Sequence, residues 1–234
     1  KGGTQAINIV AAGLDLKPGD EIVLSVMEHH SNIVPWHFLR ERKGAVLKWL
    51  DIDDDGGIDL AALDALIGPR TKLVAITHMS NVLGATTPAP EIAKLAHAKG
   101  VKVLFDGCQA TVHGRVDVQA IDFYAFTGHN LYGPTGIGVL YGKRELLAAM
   151  ALFEGGGEMI DIVERERVTY NEPPHRLEAG TPPIIEAIGL KAAIDWLSSQ
   201  DRGAIEAHEA ALRDRAMSAL RELNWVKLYG AAPD

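Results

Sequence analysis

Six apolar, strand-like runs separated by helical segments constrain the fold of this chain more than any other feature. The runs cover residues 21–26, 45–50, 72–78, 101–106, 122–127 and 138–142. Between them, residues 90–100 place Ile92, Leu95 and Ala96 on one helical face and end at a glycine. Such alternation is typical of βαβ units, so we predict an α/β fold with a mainly parallel sheet and helices on both faces.

Charge and composition narrow the classes of partner. The 234 residues carry 23 Lys and Arg against 31 Asp and Glu, a formal net charge of −8, which argues against binding to nucleic acid or an anionic membrane. A single cysteine excludes an internal disulfide framework and fits a reducing compartment. No apolar run approaches the roughly 20 residues of a membrane span, and no signal peptide opens the chain. We therefore expect a cytoplasmic protein.

The pattern changes after residue 180. Residues 1–180 read as one α/β domain, whereas 181–234 contain two long helical patterns, read as a connecting helix and the start of a second, smaller domain. In the second pattern we expect Leu212, Leu220 and Leu223 to face inward, and residues 226–229 to begin a strand. Both ends interrupt a motif or element, so the chain reads as the middle of a longer protein.

The acidic run Asp51 to Gly56 imitates the start of a calcium-binding loop. The twelfth position of such a loop holds a bidentate glutamate, but here it is Ala62, and the flanking segments read as a strand and a helix. We therefore interpret the run as a polar turn in which Asp59 caps the following helix.

Polar residues collect where the predicted strands end. Ligands of parallel sheets bind at the carboxyl ends of the strands. The polar residues expected near that edge are His29, His78, Asn81, Asp106, Thr127 and His129.

Two of the candidate sites suggest a phosphorylated aromatic ligand. Gly3 and Thr4 precede an apolar helix, whose free N–H groups bind phosphate, although such a start is more often only a cap. Asp106 ends a buried strand, where its carboxylate either caps the next turn or pairs with a protonated ring nitrogen, with Gln109 placed to contact a ring substituent. Cys108 between them reads as a small buried filler.

The remaining candidates are histidines and a glycine-rich stretch. His29 could stack on an aromatic cofactor and move protons, or could be an ordinary strand-end histidine, and the adjacent His30 cannot share its direction. The stretch FTGHNLYGPTGIG, residues 126–138, follows a strand with a threonine, a histidine and Asn130 before its glycine-rich turn. Such a sequence usually brings backbone close to a ligand. Together these features describe a pyridoxal-phosphate pocket.

Seven fragments in a fixed order make the chain similar to a known group of enzymes. They are GGTQAIN, MEHHSNIVPW, THMSNVLGA, DGCQA, TGHNLYGPTGIG, EGGGEMI and EAGTPP. The chain closely resembles the SUF-type cysteine desulfurases and selenocysteine lyases, fold-type I pyridoxal-phosphate enzymes of the class V aminotransferase group. The resemblance implies the large domain of that fold, with a sheet of the seven-stranded type.

The resemblance also implies roles for individual residues. Gly3, Thr4, Thr127 and His129 would hold the cofactor phosphate, while His29 would stack on the ring and relay protons. Asp106 would bind the ring nitrogen, and Gln109 and Asn81 would contact ring substituents or substrate. Thr181 would reach the phosphate of a partner subunit in a homodimer, and the glycines at 155–157 would border the neighbouring site.

One position departs from the family pattern. Asn130 stands where the family has the lysine that holds the cofactor as a Schiff base. An amide can neither form that bond nor shuttle a proton as an amine does. Asn130 is therefore a natural or engineered loss of function, or a modified lysine recorded as asparagine. The family's sulfur-accepting cysteine and substrate-binding arginine belong to a C-terminal domain outside this chain, and Cys108 does not match the former.

Three functions remain open at this point. The first is removal of sulfur from L-cysteine for iron–sulfur cluster assembly, with a SUF-type sulfur acceptor, or the equivalent reaction on L-selenocysteine. The second is a non-catalytic relative that binds cofactor or partner without turnover, which Asn130 favours. The third is a metal hydrolase built on His29, His30, His78 and Asp106, which the lack of an i, i+4 pair disfavours. We accordingly predict no metal.

Overall fold

A computed structural model describes residues 1–230, which form a central sheet with helices on both faces. The strands are β1 Glu21–Ser25, β2 Val46–Leu50, β3 Thr71–Thr77, β4 Lys102–Asp106, β5 Phe123–Thr127 and β6 Gly138–Gly142. Their order is β2-β1-β3-β4-β5-β6, with every pair parallel except β5 and β6. All six predicted strands and the mainly parallel α/β fold are confirmed. In the described residues the sheet has one strand fewer than the seven implied, since no strand there pairs with the outer edge of β6.

The helices connect the strands and continue beyond them. They are α1 Gly3–Gly13, α2 Val34–Lys43, α3 Leu60–Leu66, α4 Ala89–Ala98, α5 Ala110–His113, α6 Arg144–Ala149, α7 Ile184–Ser199 and α8 Arg202–Arg221. A separate hairpin pairs β7 Ile160–Val163 with β8 Val168–Tyr170. Short 3-10 turns lie at His30–Asn32, Gly128–Leu131 and His175–Leu177.

The four inner strands, β1, β3, β4 and β5, are largely buried on both faces, which explains why they are nearly continuous apolar runs. In β1, Ile22 and Leu24 pack in the core beneath α1 and α2, whereas Val23 faces the opposite core beneath α3 and α4. Successive side chains of a strand point to opposite faces, so a strand covered on both sides needs apolar residues at every position. Because β1 to β5 are parallel, their carboxyl ends all lie at one edge of the sheet.

A buried carboxylate joins several elements at the opposite edge. Asp122 Oδ1 lies 2.6 Å from Lys143 Nζ, and Oδ2 lies 2.7 Å from His97 Nε2 and accepts the Val103 N–H at 2.9 Å. Burial opposes ionisation here, but the hydrogen bonds from Lys143 and His97 outweigh it and lower the pKa of Asp122. This cluster fixes α4 and the start of α6 to the sheet.

The acidic run forms the predicted polar turn. Asp53 Oδ1 accepts the backbone N–H groups of Asp55 and Gly57, at 3.0 and 2.7 Å, and Gly56 adopts a left-handed φ of +83°. Asp59 Oδ1 accepts the Ala61 N–H at 2.8 Å and so caps α3, as predicted.

The C-terminal part departs from expectation in two ways. Leu212, Leu220 and Leu223 are exposed, Leu212 by 55%, because no layer of the described residues covers that side of α8. Residues 226–229 form no strand, since none of the strands within residues 1–230 lies beside them to pair; instead Lys227 forms an ion pair with Asp54. The proposed domain division at residue 180 stays a prediction. The last four residues of the predicted second segment, 231–234, lie outside the described ones. Within residues 1–230, none of the helices is long and apolar enough to cross a bilayer.

Candidate active site

A cavity of about 570 Å³ opens at the carboxyl ends of the parallel strands. Nine residues predicted from the sequence to form a site line it: Gly3, Thr4, His29, Asn81, Asp106, Gln109, Thr127, His129 and Asn130. They come from α1, from the last residues of β4 and β5, and from the segments that follow β1, β3, β4 and β5. The structure thus brings together groups up to 127 residues apart in the chain, from Gly3 to Asn130.

The first turn of α1 points its N-terminus at this cavity. No side chain caps the helix at Gly2, whose φ is +139°, and Gly2, Gly3 and Thr4 all line the cavity. The first N–H groups of a helix have no intrahelical partner and carry the positive end of the helix dipole. This end of α1 is therefore suited to an anion such as a phosphate.

Thr127 and His129 face α1 from the end of β5. The Thr127 hydroxyl lies 3.0 Å from His129 Nδ1, and Thr127 itself is buried. A Cβ atom added at Gly2 would lie 3.3 Å from Thr127 Oγ1, so the two segments nearly touch. The hydroxyl and the imidazole thus add two side-chain hydrogen-bonding groups to the free amides of α1.

The glycines of residues 126–138 serve this arrangement in a way that the sequence did not show. Gly133, Gly136 and Gly138 do not line the cavity. A Cβ at Gly138 would lie 2.5 Å from the Gly2 Cα, and one at Gly133 would lie 2.8 Å from the Gly128 carbonyl oxygen. The close approach is therefore between segments of the chain itself, and it lets β6 pack directly beneath the start of α1.

Asp106 ends β4 at the floor of the cavity and is only 4% exposed. Its Oδ1 accepts the Cys108 backbone N–H at 3.0 Å, as in the capping role that the sequence left open. The residue also lines the cavity, so its carboxylate can meet a ligand that carries a positive charge. The two readings of Asp106 are therefore compatible.

Cys108 also lines the cavity, but its thiol is poorly suited to chemistry. Burial and the neighbouring Asp106 raise the pKa of the Cys108 thiol well above its ordinary value. A Cβ at Gly3 would lie 2.6 Å from Cys108 Sγ, which shows how tightly the sulfur packs against α1. The predicted role of a small packing residue agrees with this environment.

His29 is connected to α1 through Ser31, a residue that sequence reasoning missed. His29 Nδ1 accepts the Ser31 backbone N–H at 3.1 Å and lies 3.0 Å from Ser31 Oγ, which lies 2.7 Å from Thr4 Oγ1. Because Nδ1 acts as an acceptor, the neutral imidazole carries its proton on Nε2. A serine two residues after a histidine at a strand end was the available signal, since such hydroxyls commonly bond back to the local chain.

Asn130 lies in the cavity at the position that the resemblance assigns to a lysine. Its Nδ2 donates to the Cys108 carbonyl oxygen at 3.1 Å. The side chain is thus fixed by a neutral hydrogen bond to the segment after β4. Asn130 therefore places an amide, and not an amine, at this position of the cavity.

Several other cavity residues were not predicted. They are Lys1, Gly2, Gln5, Asn8, Thr77, Met79, Phe153 and Glu154, besides Ser31 and Cys108. Gln5 Nε2 donates to Glu154 Oε1 at 3.3 Å, which joins α1 to the segment after α6. Glu154 is 149 residues from Gln5, so no local pattern in the sequence links the two.

Other candidates lie outside the cavity. His78 turns away, with its Nδ1 2.9 Å from the Tyr124 hydroxyl, and burial lowers the pKa of its imidazole. Thr181 is exposed and does not line the cavity, so its predicted role toward a partner subunit stays a prediction, as does that of residues 155–157. In the part of the chain that the structure describes, no group of three or more His, Cys, Asp or Glu side chains is arranged to hold a metal ion.

Comparison with known proteins agrees with the fold. The aminotransferase class-V family matches residues 1–234. The chain belongs to this family. It is 52% identical over 236 residues to a cysteine desulfurase of Dickeya dadantii, a match that covers 98% of this chain and 57% of the relative. The chain thus spans little more than half the length of such class-V relatives.

Solved structures of relatives share the architecture. The crystal structure of the cysteine desulfurase CsdA from Escherichia coli, in an S-sulfonic acid form, matches with a TM-score of 0.92 and 44% identity over 95% of this chain and 57% of that one. A mutant of C-DES with glycine covalently linked to its PLP cofactor matches with a TM-score of 0.86 and 27% identity, over 95% of this chain and 61% of that one. The class-V fold of the described residues is therefore that of fold-type I PLP enzymes.

Proposed function

We propose that the protein containing this chain is a pyridoxal-phosphate-dependent cysteine desulfurase, which converts L-cysteine to L-alanine and leaves the sulfur as an enzyme persulfide. The observation that carries this proposal is the meeting of an uncapped helix N-terminus, a buried carboxylate and a histidine in one cavity. The relatives named as cysteine desulfurases support the choice of substrate.

The residues present fit the non-covalent requirements of pyridoxal phosphate. The α1 amides, Thr4, Thr127 and His129 supply donors for a phosphate, as expected for anion binding at a helix N-terminus. Asp106 supplies a negative charge for the ring nitrogen, and His29 supplies a flat group for the ring face. When bound, this cofactor supplies the electron sink that amino-acid carbon chemistry requires.

In this proposal, four residues of the cavity have separate roles toward the cofactor and the substrate. Asp106 keeps the ring nitrogen charged, because its carboxylate would otherwise be left buried without a counter-charge. His29, with its Nε2 proton, holds or moves a proton near the substrate. Asn81 and Gln109 orient ring substituents or substrate by hydrogen bonds from the cavity wall.

Asn130 is the one cavity residue that does not fit. The covalent anchor of the family is an amine, and an amide has no equivalent nucleophile. The proposal for the chain as it stands is therefore non-covalent cofactor binding with absent or very low turnover. This observation favours the second candidate function, a relative that binds the cofactor or a partner without catalysis.

The finer features of the proposal follow from the resemblance. We propose that the protein is a cytoplasmic homodimer, with Thr181 directed to the phosphate site of the partner subunit, and that it passes sulfur to a SUF-type acceptor for iron–sulfur cluster assembly. Selenocysteine lyase activity is the close alternative. The net charge of −8 supports the expectation that neither nucleic acid nor membrane is a partner.

Alanine formation tests the activity. The full-length protein and its Asn130→Lys variant would be supplied with pyridoxal phosphate and either L-cysteine or L-selenocysteine. We expect the Lys variant to form alanine and the unaltered protein to form little or none, with the ratio of the two substrates deciding between the activities. A folded Lys variant that binds the cofactor but acts on neither substrate would refute the enzymatic assignment.

A further inference from the structure

A buried glutamate lies directly before His29 and takes no part in the roles above. Glu28 is only 7% exposed and does not line the cavity. Burial, together with the nearby charge of Asp106, raises the pKa of its carboxyl group to about 7, against the opposing effect of its hydrogen bonds. A carboxyl group kept in such a place requires partners, and those partners indicate what it holds.

The partners of Glu28 belong to three different segments. Its Oε1 accepts the Ser25 hydroxyl at the end of β1, and its Oε2 accepts Asn32 Nδ2 at 2.7 Å. The backbone N–H of Thr77, which ends β3 and pairs in register with Asp106 of β4, also favours the ionised form of the carboxyl group. Glu28 thus connects the turn after β1 to the edge of the sheet that carries Asp106.

The turn is anchored on one side and open to the cavity on the other. Asn32 Oδ1 accepts the indole N–H of the fully buried Trp36 at 3.0 Å, so residues 28, 32 and 36 form a continuous buried chain of hydrogen bonds. Between these anchors, His29 and Ser31 face the cavity. The backbone on both sides of His29 is therefore held from beneath.

We propose that Glu28 is a positioning residue: its buried carboxyl group fixes the turn that carries His29 and sets the imidazole in place over a ring bound beside Asp106. This inference rests on the proposed function, since it assigns His29 to the ring of pyridoxal phosphate. Glu28 acts through His29 and touches neither cofactor nor substrate.

The groups that face Glu28 from its neighbouring elements are mostly neutral. Asp106 on β4 is the charged group that acts on it electrostatically, and His29 is its neighbour in the chain. The other contacts, from Ser25, Asn32 and the Thr77 amide, are neutral donors. In a Glu28→Gln variant, one side-chain oxygen becomes an NH₂ group that faces such donors, so the turn loses part of its anchor without losing volume.

A double-mutant cycle in the full-length protein tests the proposal. The proteins are the unaltered one, Glu28→Gln, His29→Ala and the combination, with Glu41→Gln as a control that removes an exposed carboxylate from α2. Calorimetry measures the affinity of each for pyridoxal phosphate and for inorganic phosphate. Because Asn130 offers no amine at the family's anchor position, both are measured as equilibrium affinities.

We expect Glu28→Gln to weaken the binding of pyridoxal phosphate about fivefold to tenfold, an effect comparable with the loss of a ring contact. In the His29→Ala background, the same change should cost less than about twofold, because its effect passes through the missing imidazole. Phosphate affinity, which depends on α1, should change by less than about twofold in every variant. The Glu41→Gln control should match the unaltered protein.

Other results separate the inference from the proposed function. The role of Glu28 would be overturned if Glu28→Gln lowered the affinity for pyridoxal phosphate equally with and without His29, or did not lower it at all. It would also be overturned if the affinity for inorganic phosphate fell in parallel. No binding of pyridoxal phosphate by the unaltered protein would overturn the proposed function, and this inference with it.

Should Glu28→Gln fail to fold, as judged by thermal unfolding, the exchange Glu28→Gln with Asn32→Asp provides the test. It lets the new amide at position 28 donate to the new carboxylate at position 32, which still accepts from Trp36. We then expect recovery of folding and of ring affinity. If the exchange variant folds but its affinity for pyridoxal phosphate does not change on His29→Ala, the proposal is overturned.

Discussion

Asp106 shows at the scale of a single residue how one group combines a structural and a chemical role. Its Oδ1 holds the Cys108 amide, while its place in the cavity lets the negative charge meet a cationic ring nitrogen. The first contact stabilises the turn after β4. The second matters only when a ligand is present, so substitution separates the two effects.

We expect Asp106→Ala to reduce desulfurase turnover by about 100-fold or more, because the charge that holds the ring nitrogen protonated is lost. Stability should fall by only about 1 kcal/mol, the usual cost of one lost capping hydrogen bond. Both are measured in the full-length Asn130→Lys protein, by alanine formation and by denaturant unfolding. Asp106→Asn, which keeps the shape without the charge, should lose activity similarly. Near-normal turnover of the Ala variant would refute the assignment.

At the scale of elements, the site depends on how closely β6 packs against α1. The start of α1 is positioned by two glycines in contact, Gly2 before the helix and Gly138 at the start of β6. The sequence marked both glycines but could not show that they meet, because their contact depends on the antiparallel placement of β6 beside β5. Strand and helix positions follow from local apolar patterns, whereas this contact depends on tertiary structure.

Gly138→Ala should therefore move the first turn of α1, since the new methyl group would lie 2.5 Å from the Gly2 Cα. We expect a loss of about 1–3 kcal/mol in the free energy of unfolding and a marked loss of affinity for phosphate. Gly100→Ala is the matched control, as its Cβ meets nothing within 4 Å and its effect is limited to the cost of a positive φ. If Gly138→Ala binds phosphate as well as the control does, the contact does not position α1.

The Asp122 cluster predicts how stability depends on pH. Because the pKa of Asp122 is lowered in the folded chain, its contribution is present above the unfolded pKa of about 3.9 and is lost as pH falls through the folded value. We expect Asp122→Asn to cost about 2 kcal/mol at neutral pH and less as the pH falls below about 4. Denaturant unfolding across a pH range of about 2–7 measures this. A cost that stays constant down to the acid end of that range would contradict the ion-pair account.

At the scale of the whole molecule, the sequence predicted the sheet and the cavity residues more successfully than the C-terminal segment. The four inner runs became strands that are largely buried on both faces, a condition visible in the apolar runs themselves. The two edge runs also became strands, although β2 and β6 are only partly buried. Leu212 and its neighbours on α8 were expected inward because an amphipathic pattern shows which face is apolar, but not whether another layer covers it. Glu154 was missed because its partner Gln5 is brought near only by the fold, whereas Ser31 had a local partner in His29 and only its contact with Thr4 depends on the fold.

The central claim is that this cavity holds pyridoxal phosphate with residue 130 at the covalent anchor position. The most direct measurement is borohydride reduction of the full-length protein and its Asn130→Lys variant in the presence of pyridoxal phosphate, followed by peptide mass spectrometry. We predict a reduced phosphopyridoxyl group on residue 130 of the Lys variant and none on residue 130 of the unaltered protein. A folded Lys variant that remains unlabelled at residue 130 would contradict the account.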